Sequence, residues 1–195
     1  HVARRCRKQP VVIPYGGDLI EDADPAVLSP MGLAQQSYLV SIARIEPENS
    51  ILEIVRAYSR RPRGAKLVVL GNFDDRNAYH REVKASAGDE VTFPGAIYDP
   101  AIVQSLRFHA QAYLHGHTVG GTNPSLVEAL GAGNAVIAHD NRFNRWVAGE
   151  GHRYFADEND LDAIISETTT GGTWLQTARS AARSRHREAF QWDDV

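Results

Sequence analysis

His115-Gly116-His117-Thr118-Val119-Gly120-Gly121-Thr122-Asn123-Pro124-Ser125-Leu126-Val127-Glu128-Ala129-Leu130 decides how this chain is read. A strand-like apolar run ends near His115. A glycine-bearing loop follows, and Asn123 and Pro124 then open a helix. Asn is a favoured N-cap, and Pro suits the first helical position because its missing N–H is not needed there. Exposed first-turn amides and the positive end of the helix form an anion site. Gly120 and Gly121 let a phosphate approach the backbone with no Cβ in the way. The plainer alternative is a glycine turn feeding a capped helix. Glu128 stands in the second turn among Val127, Ala129 and Leu130. A carboxylate in an apolar helix needs donors, which adjacent sugar hydroxyls can supply. The alternative for it is a Glu near a helix N-terminus that faces solvent.

Working outward, the same strand–loop–helix unit repeats. Val/Ile/Leu-rich runs occupy residues 11–14, 38–43, 66–70, 90–93, 112–115 and 134–138. They lack clean alternation, as expected of strands buried on both faces. Helical stretches occupy 50–60, 77–87, 100–108, 124–131 and 143–148. The pattern predicts an α/β fold, a Rossmann-like parallel sheet with helices on both faces. Residues 161–167 read as a helix, 168–173 as a loop and 174–190 as a longer polar helix. Ligands of such sheets sit beyond the carboxyl ends of the strands. The informative loops are therefore 15–18, 44–49, 71–76, 94–99, 116–123 and 139–144.

Composition narrows the function classes. The chain has 195 residues, 43% hydrophobic and 23% charged, with a net charge of -3. That balance suits one folded domain spanning 1–195 and argues against a non-specific nucleic-acid binder. One cysteine, Cys6, excludes an internal disulfide and a cysteine metal cluster. No run approaches the ~20 apolar residues of a membrane span. Residues 1–10 are basic and patternless, with no signal-peptide pattern after His1. The end, Phe190-Gln191-Trp192-Asp193-Asp194-Val195, reads as the start of a further motif. Both ends suggest a piece of a longer protein.

Five segments in order resemble the C-terminal, donor-binding half of the group 1 glycosyltransferases, which have two Rossmann-like domains (the GT-B architecture). Val12-Ile13-Pro14-Tyr15-Gly16-Gly17-Asp18 resembles the family's "IPNGVD". Ser41-Ile42-Ala43-Arg44-Ile45-Glu46-Pro47-Glu48-Asn49 is similar to "VGRLxPEKG". Lys66-Leu67-Val68-Val69-Leu70-Gly71 resembles "LVIVGxG", and Val91-Thr92-Phe93-Pro94-Gly95-Ala96-Ile97 resembles "VxFLGxV". Residues 125–133 with Ala135-Val136-Ile137-Ala138 resemble "xxLEAMAxGxPVIA". Two positions depart from the family. The first acid of E-x7-E is Gly120 here, and the lysine of "PEKG" is Asn49. Gly-Gly-Thr-Asn-Pro-Ser in place of "EGFGL" resembles a subgroup rich in bacterial rhamnosyltransferases.

The resemblance implies a role for each matched residue. Arg44 matches the diphosphate-binding arginine, with a surface ion pair to Glu46 or Glu48 as the alternative. Asn49 keeps a hydrogen bond but no charge, and the amides of Gly121, Thr122 and Asn123 substitute for the lysine. Glu128 matches the ribose-binding glutamate. Gly95, with Pro94 and Ile97, matches the segment against the nucleobase, where Tyr98 is either a stacking or a packing residue. His117 lies where relatives place a small polar residue near the phosphates, and Ser125 completes the donor-binding set. His115 and His117 share a strand face but lack a third metal ligand, so no metal and no cofactor are expected. His139 and Asp140 face the cleft without forming a dyad. Arg179, Arg183, Arg185 and Arg187 read as a solvated helix face, or as peripheral contact with an anionic membrane.

The implied activity is a retaining transfer of a hexosyl or deoxyhexosyl group, rhamnosyl among them, from a dTDP-, UDP- or GDP-sugar. The acceptor is a glycan or lipid-linked molecule, as in cytoplasmic polysaccharide biosynthesis. Acceptor-side groups would belong to an N-terminal domain outside this chain, so the chain alone would be inactive. The rivals are a nucleotide-binding regulatory domain without transferase activity and a GT-B sugar-nucleotide epimerase. A phosphorylase is disfavoured because Lys8, Lys66 and Lys84 all lie outside the glycine loop.

Overall fold

A computed structural model describes residue 11 and residues 13–194. Six strands form one wholly parallel sheet: β1 Tyr38–Ile42, β2 Lys66–Leu70, β3 Val91–Gly95, β4 Ala112–His115, β5 Val136–His139 and β6 Arg153–Phe155. Their spatial order is β3-β2-β1-β4-β5-β6. Chain order reverses between β1 and β4, and a crevice opens beyond their carboxyl ends. Seven α-helices connect and flank the strands: α1 Ile51–Ser59, α2 Ala78–Ala85, α3 Pro100–Phe108, α4 Pro124–Gly131, α5 Arg142–Ala148, α6 Glu158–Thr169 and α7 Trp174–Ala189.

The strands read as uninterrupted apolar runs because both sheet faces are covered. Leu39, Leu67, Val69, Leu114 and Ile137 pack on one face with Ile51 and Val55 of α1 and Leu161 and Ile165 of α6. Tyr38, Val40, Val68 and Tyr113 point the other way, toward Leu28, Leu106 and Ala129. Helix starts follow from short side chains that accept first-turn amides. Asp99 Oδ1 accepts from Ala101 at 2.9 Å, Asn123 from Ser125 at 3.0 Å and Asn141 from Phe143 at 3.0 Å. Pro100 and Pro124 occupy first-turn positions where no donor is lost.

Several expectations shift. Of the expected strand 11–14, Val11, Ile13 and Pro14 form no strand, and Val12 lies outside the described residues, as do residues 1–10 with Cys6 and Lys8. Strand β6 and the 3-10 turn Pro25–Met31, capped by Asp24, are additional elements. The predicted helix over 161–167 extends to Glu158–Thr169, because Asp157 caps it upstream. Ser50 is no helical residue but a left-handed one, φ 49°, ending a tight turn. Trp192, placed in a further motif, folds back edge-on against Tyr15 with ring centroids 5.3 Å apart.

The arginines of α7 do not form a free basic face. Arg179 donates to the carbonyls of Ala110 and Gln111. Arg183 reaches Ile20 O at 3.1 Å, and Arg185 reaches Trp146 O at 2.7 Å. Three of the four guanidiniums thus clamp loop ends of the domain rather than facing outward. No helix among the described residues is long and apolar enough to cross a membrane.

Candidate functional site

The crevice at the β1–β4 reversal holds a cavity of about 610 Å³. Its walls come from the ends of β1 and β2, the loop after β3 and the first two turns of α4. Arg44, Ser125 and Glu128, distant in sequence, all line it, together with Ile97 and Tyr98. A second cavity of about 420 Å³ adjoins it and shares Ile97, Tyr98, Arg107 and Glu128.

Arg44 sits on the turn that follows β1. Its side chain is 80% exposed and only loosely paired, 3.9 Å from Glu48. An exposed pair at that distance contributes about 0–1 kcal/mol, so the guanidinium is free to take an anion. Asn49 is corrected. It is buried and donates from Nδ2 to the Arg44 carbonyl at 2.8 Å. Its amide closes the turn that carries Arg44 instead of reaching into the cavity.

None of Gly120, Gly121, Thr122 and Asn123 lines the cavity, whose wall begins after them at Pro124 and Ser125 of α4. The first-turn amides of α4 are not open. Asn123 Oδ1 takes the Ser125 amide, and Asn123 O takes those of Leu126 and Val127. The amides of Gly121, Thr122 and Asn123 donate to no described residue, and they are the available anion donors. Gly120 has φ +139°, and a Cβ there or on Gly121 would meet nothing within 4 Å. Gly95 ends β3 at φ +88°, a conformation that favours glycine. Pro94 is exposed, and Ile97 reaches both cavities. Tyr98 is exposed, and its hydroxyl accepts from Asn72 Nδ2 at 3.0 Å.

Glu128 lines the cavity and also meets a protein cation. Its side chain is 40% exposed, and Oε2 lies 2.5 Å from Arg107 Nη2. Arg107, on the last turn of α3, also donates to Ser125 Oγ at 3.2 Å. Ser125 Oγ in turn bonds the hydroxyl of Tyr113 at 2.6 Å and donates to Ile42 O at 3.1 Å. Arg107 is the site residue that sequence reasoning missed. The available signal was an arginine one helical turn after Val103 and next to Leu106, on the inward stripe.

His117 does not line the cavity. Its ring stacks on His115 with centroids 4.3 Å apart and planes 10° apart. The His117 carbonyl accepts from both Asn141 and Asn144 at 2.9 Å, fixing the end of β4. Burial, and then the Arg44 charge, push the His117 ring down to about 4, while Glu48 acts weakly the other way. Burial likewise lowers His115, and it pushes His152 down to about 4. His139 Nδ1 lies 3.4 Å from Asn141, and Asp140 pairs with Arg145 at 2.5 Å, so neither enters the cavity. Among the described residues no group of three or more metal-ligating side chains converges.

The histidines predict an acid limb of stability. Each is neutral in the fold and titrates near its ordinary 6.5 when unfolded. The unfolded chain therefore binds more protons below that value. Stability is complete above pH 6.5 and is lost progressively as pH falls toward about 4. Thermal melts from pH 7.5 to 4 check this, and a flat profile across that window refutes it.

The family described as glycosyl transferases group 1 matches residues 32–169. Among solved structures, a sucrose-phosphate synthase from Thermosynechococcus elongatus superposes with TM-score 0.79 at 21% identity, over 98% of this chain and 52% of that one. HepE of Anabaena, in complex with UDP-glucose, gives TM-score 0.74 at 17% identity, over 87% of this chain and 50% of that one. An alpha,alpha-trehalose-phosphate synthase (UDP-forming) from Burkholderia vietnamiensis gives 0.68 at 10%, over 85% and 44%. At these identities the likeness shows the fold. The chain spans about half the length of these structures. No curated protein matches the sequence.

Proposed function

Because the chain belongs to the group 1 glycosyl transferases, we propose that its crevice binds a nucleotide-sugar donor and stabilises the nucleoside diphosphate as it departs. The observation that carries this is the convergence of Arg44, Ser125 and Glu128 on one cavity at the β1–β4 reversal. In this reading the diphosphate meets Arg44, whose planar fork suits phosphate, and the open amides of Gly121, Thr122 and Asn123. Such preorganised donors stabilise charge that develops on a leaving group. Glu128 takes the ribose hydroxyls, and the base lies against the loop from Gly95 to Tyr98. His117 stands behind the cavity wall with its ring stacked on His115. The transferred group is a hexose or deoxyhexose, rhamnose included, carried by a dTDP-, UDP- or GDP-nucleotide. The acceptor, a glycan or lipid-linked molecule, is met by a second domain beyond 1–195, and transfer retains the anomeric configuration in the cytoplasm. HepE, which binds UDP-glucose, and the UDP-forming synthase support a nucleotide-sugar donor.

Calorimetric titration with UDP, GDP, dTDP and the matching nucleosides tests the reading. The best diphosphate should bind more than about tenfold tighter than its nucleoside, since phosphate contacts dominate. Arg44→Ala should shrink that gap, and Arg44→Lys should recover part of it, a point charge replacing a fork. Glu128→Ala should cost about 2 kcal/mol of affinity, as expected for hydrogen bonds to a charged group. Equal binding of diphosphate and nucleoside refutes the phosphate assignment. Binding of neither favours the second reading, a domain without transferase activity. Neutral Gly120 and the committed amide of Asn49 speak for that alternative.

A further inference from the structure

Arg107 is a buried cation lying between two cavities, and its donors are incompletely used. Its side chain is 6% exposed. One terminal nitrogen faces Glu128 Oε2 at 2.5 Å and Ser125 Oγ at 3.2 Å. Nε is sealed from solvent and has no hydrogen-bond partner among the described residues. A guanidinium kept only for the fold normally satisfies its donors, because leaving one unmade in a buried place is costly. Arg63 shows that pattern in this same chain. Its Nε donates to Tyr58 O, Nη1 to Ser166 Oγ, and Nη2 to Ala57 O and Asp162. Arg107 instead turns its charge toward a half-exposed carboxylate on the cavity wall.

We propose that Arg107 is the positioning residue of the site: it fixes the Glu128 carboxylate in place, and thereby sets the preference of the site for a nucleotide whose sugar carries hydroxyls. This rests on the nucleotide reading above. A Glu side chain on a cavity wall has several rotamers, and an ion pair to a buried guanidinium selects one of them before the ligand arrives. That preorganisation removes an ordering cost from binding. The Ser125–Tyr113–Ile42 hydrogen-bond chain holds the fork against the end of β1, so the rotamer is tied to the sheet itself.

The test compares the best-binding diphosphate of UDP, GDP and dTDP with its 2′,3′-dideoxy counterpart, dTDP having only its 3′ hydroxyl to lose, by calorimetry on the full chain. The starting protein should prefer the hydroxyl-bearing ligand by about tenfold or more. Glu128→Ala should abolish the preference. Arg107→Met should reduce it to about twofold, while affinity for the hydroxyl-free ligand changes by less than about threefold. A merely structural arginine would weaken both ligands alike. Adding Glu128→Ala to Arg107→Met should remove only the remaining preference of about twofold. Arg107→Lys keeps the charge and the stem, so it carries the test if Arg107→Met fails to fold. It should retain a preference of about threefold, a point charge replacing a fork. An unchanged preference in Arg107→Lys, or in a folded Arg107→Met, overturns the proposal while leaving the nucleotide reading standing. Binding of none of the three diphosphates overturns both.

Discussion

Gly116→Ala is expected to lower stability by about 3 kcal/mol, the upper part of the range for overpacking a tight core. A Cβ at Gly116 would lie 2.2 Å from Asn49 O and 3.0 Å from both Ile54 Cδ1 and Ser50 Cβ. The first of these is backbone, so no rotamer change relieves it. The turn that carries it is held from several sides. Asn49 Nδ2 donates to Arg44 O at 2.8 Å, and the amides of Asn49 and Ser50 donate to Glu46 O and Pro47 O. Thr118, two residues past Gly116, donates its amide to Glu48 O at 2.8 Å. Either the end of β4 or the Arg44 turn must move. Melting temperature should fall by about 6–12 °C, given about 2–4 °C per kcal/mol at this chain length. Diphosphate affinity should fall by about tenfold as well, because the displaced turn carries the one cation assigned to phosphate. Gly121→Ala is the control. Its Cβ would meet nothing within 4 Å, and its stability should stay within about 0.5 kcal/mol. A Gly116→Ala melting point within about 2 °C of the starting protein refutes the argument.

The layered sheet was legible because its strands are buried on both faces, which writes them as unbroken Val/Ile/Leu runs. Helices α3 and α4 were read at their true bounds, since Asp99-Pro100 and Asn123-Pro124 mark the caps. Strand β6 was missed because Arg153-Tyr154-Phe155 is short, lies at the sheet edge and carries a charge. At the site, Arg44, Ser125 and Glu128 were legible through their motifs, and one cavity gathers them. Asn49 was misjudged for a physical reason. A polar residue after a strand looks available, yet only the fold shows that a turn needs its amide. His117 follows the same logic, since stacking on His115 draws its ring inward. Arg107 was missed because its local signal, a place on the inward stripe beside Leu106, marks it as buried but not as the partner of Glu128 on another helix. An arginine near a helix end otherwise reads as solvated.

Asp162→Ala should cost a similar amount of stability without touching the site, and the contrast with Gly116→Ala makes the pair informative. Asp162, 11% exposed on α6, lies 2.5 Å from both Arg63 and Arg61. Arg63 is 1% exposed, so removing its carboxylate leaves a buried guanidinium without its counter-charge. Breaking such a pair costs about 3–5 kcal/mol, and the lower end applies here because Arg63 keeps other acceptors. Melting temperature should drop by about 6–12 °C. Diphosphate affinity should not change, since the α1–α6 contact lies on the sheet face away from α4. The pH dependence supplies a second check. Burial pushes the Asp162 carboxyl up, but Arg63, Arg61 and Arg60 outweigh it and hold it below the usual carboxylate range. A depressed carboxyl stabilises above its unfolded pKa, and that contribution is lost as pH falls through the folded value. The gap in melting temperature between the starting protein and Asp162→Ala should therefore be full at neutral pH and close only in strong acid. This limb lies below the one set by the histidines, which begins at pH 6.5. A gap that closes already between pH 6.5 and 5 would place the lost stability on a histidine and remove Asp162 from this role.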